Sequence, residues 1–185
     1  MIRWIGRAFL LAALTGLVLT EDDPNYEVHF DGMEMIDGSD SYFNYNYTMD
    51  KKSETAFTVS GFITQLVLLD NTYKARFRLS RAPLDNPELY EEMLGLEKPL
   101  CEYMSSIYKM YFYETLKDIS NFPHYDKCPL DPAEYWFKDY SFDADEYKAF
   151  MRDGHYKIEM YLVKGEDSVA GGLSKMRVEP VEGRK

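Results

Sequence analysis

Tyr73-Lys74-Ala75-Arg76-Phe77-Arg78-Leu79-Ser80 alternates without a break: Tyr73, Ala75, Phe77 and Leu79 share one face, and Lys74, Arg76, Arg78 and Ser80 the other. A period of two marks a half-buried β-strand, because successive side chains of an extended chain point to opposite sides. The basic residues are expected to form a solvated outer face. The same pattern lies on both sides of this stretch. Upstream, Phe43, Tyr45, Tyr47 and Met49 oppose Tyr42, Asn44, Asn46 and Thr48; downstream, Tyr156, Ile158, Met160 and Leu162 oppose His155, Lys157 and Glu159. Further strands are expected at Tyr26 to Phe30, Met33 to Ile36, Glu134 to Phe142 and Leu173 to Val181, and at Thr55 to Leu69, bent by a bulge or kink at Gly61. The expected fold class is mainly β, an antiparallel β-sandwich or β-cup of about 7–8 strands.

The middle of the chain changes period. Leu100, Tyr103, Met104, Ile107, Tyr108 and Tyr111 recur at helical spacing, which predicts one substantial α-helix over about 99–119, packed on the strands as wall or lid. Asn121-Phe122-Pro123 ends it. Asn86-Pro87-Glu88 has the cap, N1 proline and first-turn acid of a short helix that Gly95 can close. Asp143 with Glu146 reads as a capping box for a further helical turn ending near Gly154.

Met1 to Thr20 carries Arg3 and Arg7, then a mostly apolar run from Ala8 to Leu19, then acids from Glu21. This is the order of a secretory signal peptide, too short to cross a bilayer; an uncleaved anchor is the alternative, and both place the body outside the cytosol. The expected organisation is residues 1–20 as signal and 21–185 as one domain, secreted and extracellular, with no transmembrane segment. In an oxidising compartment Cys101 and Cys128, the only two cysteines, are expected to pair; the alternative is two free or intermolecular thiols. Asn46-Tyr47-Thr48 is a usable N-glycosylation sequon, and its asparagine lies on the wetter face of its strand.

The formal charge is −11, and loss of the signal, which takes two arginines and no acid, makes it −13. Such a surface repels nucleic-acid phosphates and anionic membranes, so no nucleic-acid partner is expected. His29, His124 and His155 are far apart and carry no metal-ligand spacing, so no metal or cofactor is expected. No nucleophile elbow or phosphate-binding glycine loop exists either. The expectation is a non-enzyme, although catalytic groups can assemble from distant positions; His124 beside the Cys128 loop is then the first place to look.

Leu100-Cys101-Glu102-Tyr103-Met104, Asn121-Phe122-Pro123-His124, Cys128-Pro129-Leu130, Tyr135 and Gly154-His155-Tyr156-Lys157-Ile158 succeed one another in a pattern that resembles an insect family of small secreted proteins that includes the CheB-like chemosensory proteins. The resemblance covers roughly Pro99 to Val163. Members are held to be similar to the ganglioside-activator and ML lipid-recognition proteins, in which an antiparallel β-cup encloses a lipid. The resemblance implies carriage or presentation of a lipid, cuticular hydrocarbon or pheromone. This chain has one potential disulfide where the lipid activators have several.

The residues agree with that implication. Phe57, Val59, Phe77, Tyr156 and Met160 on strands, facing Met104, Ile107, Tyr108 and Tyr111 on the helix, would line an apolar chamber; the same residues could equally fill a closed core. The expected ligand is an apolar small molecule or lipid, bound by a monomer, with an extracellular receptor as a further partner. The competing function is a protein-interaction module that docks an aromatic face on such a partner.

Overall fold

The computed structural model describes residues 26–53, 56–143 and 152–180. The expected signal, residues 1–20, and the middle of the helical turn expected from Asp143 to near Gly154 lie outside them, while Asp143 ends one strand and Gly154 begins another. Eight strands occur among the described residues: β1 (Tyr26–Met35), β2 (Phe43–Lys51), β3 (Ala56–Gln65), β4 (Tyr73–Ala82), β5 (Glu91–Pro99), β6 (Ala133–Asp143), β7 (Gly154–Lys164) and β8 (Asp167–Pro180). One helix, α1, runs over residues 100–116 between β5 and β6. The strands pair antiparallel in two sheets, β1-β8-β7-β4-β5 and β2-β3-β6. The fold is therefore mainly β with one substantial helix, as the alternation predicts.

Register makes each strand's apolar positions add up to a face. In the five-stranded sheet Phe77 lies beside Met160, Leu79 beside Ile158 and Ala75 beside Leu162; Leu94 and Leu96 of β5 extend that row outward from Leu79 and Phe77. The opposite face is charged. Arg76 Nε lies 2.7 Å and Lys74 Nζ 2.8 Å from the Glu97 carboxylate, and Arg78 lies 3.6 Å from Glu92. The cations of β4 are thus paired rather than merely solvated; being exposed, they add little stability and serve to match β4 with β5.

That matching corrects the short helix expected over residues 86–95. Asn86 and Leu89 close turns by donating to the carbonyls of Pro83 (3.2 Å) and Asn86 (3.1 Å), and the chain then becomes edge strand β5. The cap residues are real local signals. They lose to an apolar and charged pattern on β4 that only an extended partner can satisfy.

In the three-stranded sheet Phe43, Tyr45, Tyr47 and Met49 turn inward beside Ile63, Val59 and Phe57, with Tyr135, Phe137 and Tyr140 beyond. At Gly61 the backbones crowd together, since a Cβ there would lie 2.3 Å from the Asn46 carbonyl oxygen. The β3–β6 register shifts at the same place, where Asp139 takes a positive φ of 53° and donates its N–H to Ser60 Oγ at 2.9 Å. The bulge or kink expected in the strand of Gly61 is found opposite it: the extra residue lies in the partner strand β6.

The closely packed core sits at one end, where α1 covers the sheets. Leu100, Tyr103, Met104 and Tyr108 are buried against Leu69, Tyr73, Leu130, Leu162 and Ala170. Cys101 and Cys128 form a disulfide with Cα atoms 5.5 Å apart, tying the start of α1 to the loop before Leu130. Gln65, also buried, donates from Nε2 to the carbonyls of Val67 and Leu130, each at 2.8 Å, so its amide is satisfied.

The helix differs from expectation in its winding. After an α turn at Leu100–Tyr103 it is a π-helix through Met104–Tyr113 and closes with an α turn, Glu114–Leu116. Hydrogen bonds from i to i+5 advance less angle per residue, so one face recurs at i+4 and i+5 instead of i+3 and i+4. From Tyr108 the inward positions become Phe112 and Tyr113, both packed on the core. Tyr111, expected on the inward stripe, is turned out to 40% exposure.

Candidate functional site

Between the sheets runs an apolar trough, stoppered at both ends and open in the middle. The α1 cluster forms one stopper. The other lies where Phe30 of β1 meets Phe57 of β3, ring centroids 6.0 Å apart, at the end of the cross-strand row Phe30, Met176 and Tyr156. Tyr156 is 3% exposed, and its hydroxyl donates to the Arg152 carbonyl at 2.8 Å. Tyr156 and Leu162 on β7 are six residues apart, a span of about 20 Å at the usual strand rise.

Between the stoppers the apolar side chains are not covered. Met160 is 48% exposed, Leu94 44% and Tyr45 45%, although all three lie on inner faces. A sandwich closed on itself would bury these positions. Leu96, Phe77, Met160, Gly172 and Met35 form one cross-strand row, and the Met35 sulfur lies against Gly172, where a Cβ would be 2.7 Å away. The row leads to an open pocket of about 340 Å³, lined by Met35–Asp40 and by Phe43, Asn44 and Tyr45. That is the mouth of the trough, between the β1 edge of one sheet and the β2 edge of the other.

Ser39 holds the wall of this mouth. It is buried; its hydroxyl donates to the Ile36 carbonyl at 2.7 Å and accepts the Gly171 N–H at 3.1 Å. Ile36 N–H in turn donates to the Gly171 carbonyl at 3.0 Å.

The residues proposed from sequence as ligand contacts divide into three groups. Phe77 and Met160 line the open middle, and Val59 lies on the inner face of the other sheet. Phe57 and Tyr156 belong to the far stopper. Met104, Tyr108 and the half-buried Ile107 belong to the helix stopper, and Tyr111 faces solvent. Missing from that set are Met33, Met35 and Met176, which the β1–β8 register places on the inner face with Met160. Their alternation is visible in the sequence, but the adjacency of the first and last strands is not.

Buried tyrosines at the two stoppers resist ionisation. Burial pushes the Tyr108 phenol up to about 12, helped by neighbouring Tyr113 and Tyr135; its hydroxyl donates to the Pro123 carbonyl at 3.0 Å. Burial also raises Tyr103, Tyr135 and Tyr156. A phenol whose folded value lies above its unfolded value near 10 stabilises the fold fully below that pH, and the contribution is lost as pH rises through the folded value. Stability in urea melts should therefore fall between about pH 10 and about pH 12, with phenolate absorbance rising in the same window. For Tyr108→Phe the fall should be shallower; an unchanged slope would show that this phenol does not couple to folding.

Among the described residues no group of His, Cys, Asp and Glu is arranged to hold a metal ion, and no helix is long and apolar enough to cross a membrane. Residues 75–158, from β4 through α1 and the disulfide into β7, match the family described as Protein of unknown function (DUF1091). No curated protein matches the chain. Among solved structures it is similar to chicken MD-1 complexed with lipid IVa, at 12% identity and a TM-score of 0.37, over 88% of this chain and 94% of that one.

Proposed function

We propose that this protein is a secreted, non-enzymatic carrier that holds an apolar small molecule or lipid in the trough between its sheets. The observation that carries the proposal is the uncovered middle of the trough: Met160, Leu94 and Tyr45 are each more than 40% exposed on faces that alternate as core faces. An aliphatic ligand lying along the Phe77–Met160 row would cover them. Methionines suit such a wall, because the unbranched thioether adapts to ligands of varied shape. The acidic chain, at −13 without the expected signal, favours neutral ligands over carboxylate or phosphate amphiphiles. The CheB-like resemblance extends the proposal to chemosensation, with a cuticular hydrocarbon or pheromone as cargo and a receptor as recipient.

Native mass spectrometry of the protein secreted from insect cells, followed by organic extraction, tests this. A co-purifying apolar molecule at defined stoichiometry is expected. Met160→Asp should leave the circular dichroism unchanged, because the position is half exposed, yet weaken ligand binding at least about tenfold, since a carboxylate in apolar surroundings easily exceeds 1.4 kcal/mol. A ligand-free mass that does not change on incubation with hydrocarbons, fatty acids and sterols would refute the carrier and favour docking of the open face on a protein.

A further inference from the structure

We propose that Asn46 carries an N-linked glycan whose core sugars lie over Phe62 and Trp136 on the outer face of the three-stranded sheet. That face is otherwise polar among the described residues: Asn44, Thr48 and Asp50 on β2, Thr58, Ser60 and Thr64 on β3, Glu134 and Ser141 on β6. Besides the small Ala56, the exceptions are Phe62, 52% exposed, and Trp136, 42% exposed. Two large rings side by side on an otherwise polar solvent face make a contiguous apolar patch rather than scattered single exposure, and such a patch marks an interaction site. Here they stand in a single row with the sequon asparagine. Asn46 is the cross-strand partner of Phe62, and Phe62 that of Trp136.

The spacing suits a glycan. Neighbouring strands are about 4.8 Å apart, so the rings lie about 5 Å and about 10 Å to one side of Asn46, the reach of the first two sugars. The flat face of a sugar presents C–H groups with slight positive charge, and aromatic faces are negative, so sugar on ring is the complementary stack. The row is held firmly. The Trp136 backbone N–H donates to Asn121 Oδ1 at 2.6 Å, its carbonyl accepts the Asn121 backbone N–H at 3.3 Å, and Gly61 presses against the Asn46 carbonyl. A glycan on β2 would also screen an edge strand from pairing with another chain. Attachment requires the secretory route proposed above but not the ligand.

Trp136 supplies the test. The chain has two tryptophans, and the other, Trp4, lies in the expected signal. Wild-type protein secreted from insect cells is compared with Thr48→Ala, which removes the sequon and keeps Asn46. The expected result is a glycan mass on wild type alone. Acrylamide quenching of Trp136 should be about twofold stronger in the variant, with emission shifted to the red, because the stacked sugar no longer shields the indole. If the variant is not secreted, enzymatic removal of the glycan from folded wild type should give the same change. A wild-type mass without glycan overturns the proposal, and so does a glycan whose removal leaves quenching unchanged.

Discussion

Cys101→Ser is expected to lower the stability of the oxidised protein by about 3.5 kcal/mol, and its melting temperature by about 10 °C. The first figure follows from the loop the disulfide closes, with a sequence separation of 27, whose freedom returns to the unfolded chain when the cross-link is lost. The folded state suffers as well. Cys101 N–H donates to Asn71 Oδ1 at 2.9 Å, and Leu100, Tyr103 and Met104 beside it form the helix stopper, so the disulfide anchors the packed end of the trough. Cys128→Ser should reproduce the loss, and the double variant should add nothing, because each single change already removes the whole bond. Reducing agent should bring wild type down to the variants. If Cys101→Ser melts with wild type under oxidising conditions, helix packing alone holds that end.

Much of this architecture is legible in the sequence, and the exceptions share a cause. The strands at 43–49, 73–80 and 156–162 announce their faces because alternation is local, and the pairing of the cysteines is expected from their number and from the compartment that the signal-like start implies. β5 does not announce itself. Asn86-Pro87-Glu88 and Gly95 spell a helix to a local eye, and only the apolar and basic faces of β4 convert that segment into a strand. Tyr111 shows the same limit inside a correctly placed helix: spacing identifies the element, but its face depends on winding, and π winding passes the inward position to Phe112 and Tyr113. The trough is the least legible feature. Its floor depends on β1 lying beside β8, and its mouth on how the β1–β2 connection meets Gly171.

That meeting point makes the other strong prediction. Gly171 has φ +122°, and a Cβ there would lie 2.1 Å from the Met160 carbonyl oxygen and 2.8 Å from Tyr161 Cα. These are backbone atoms of the paired strand β7 and cannot swing aside as a side chain could. Gly171→Ala therefore combines a disfavoured backbone conformation with overpacking, each worth about 1–3 kcal/mol, and should destabilise by about 3–5 kcal/mol in urea melts. Ser39→Ala attacks the same clamp from its other side: it leaves the Gly171 N–H without the hydroxyl it meets at 3.1 Å, a loss of about 1–3 kcal/mol. Because both changes break one clamp, their effects should fall short of additive in the double variant. Ser39→Ala has a second consequence that Gly171→Ala, through its larger damage, would obscure. With the hydroxyl gone, only the backbone bonds from Ser39 to Ile36 and from Ile36 to Gly171 hold the wall of the 340 Å³ mouth, so the ligand proposed above should leave faster while the Phe77–Met160 row stays intact. Stopped-flow displacement separates the cases. Faster release with unchanged extraction stoichiometry places the clamp at the gate, whereas unchanged release would mean that ligand leaves the trough by another side.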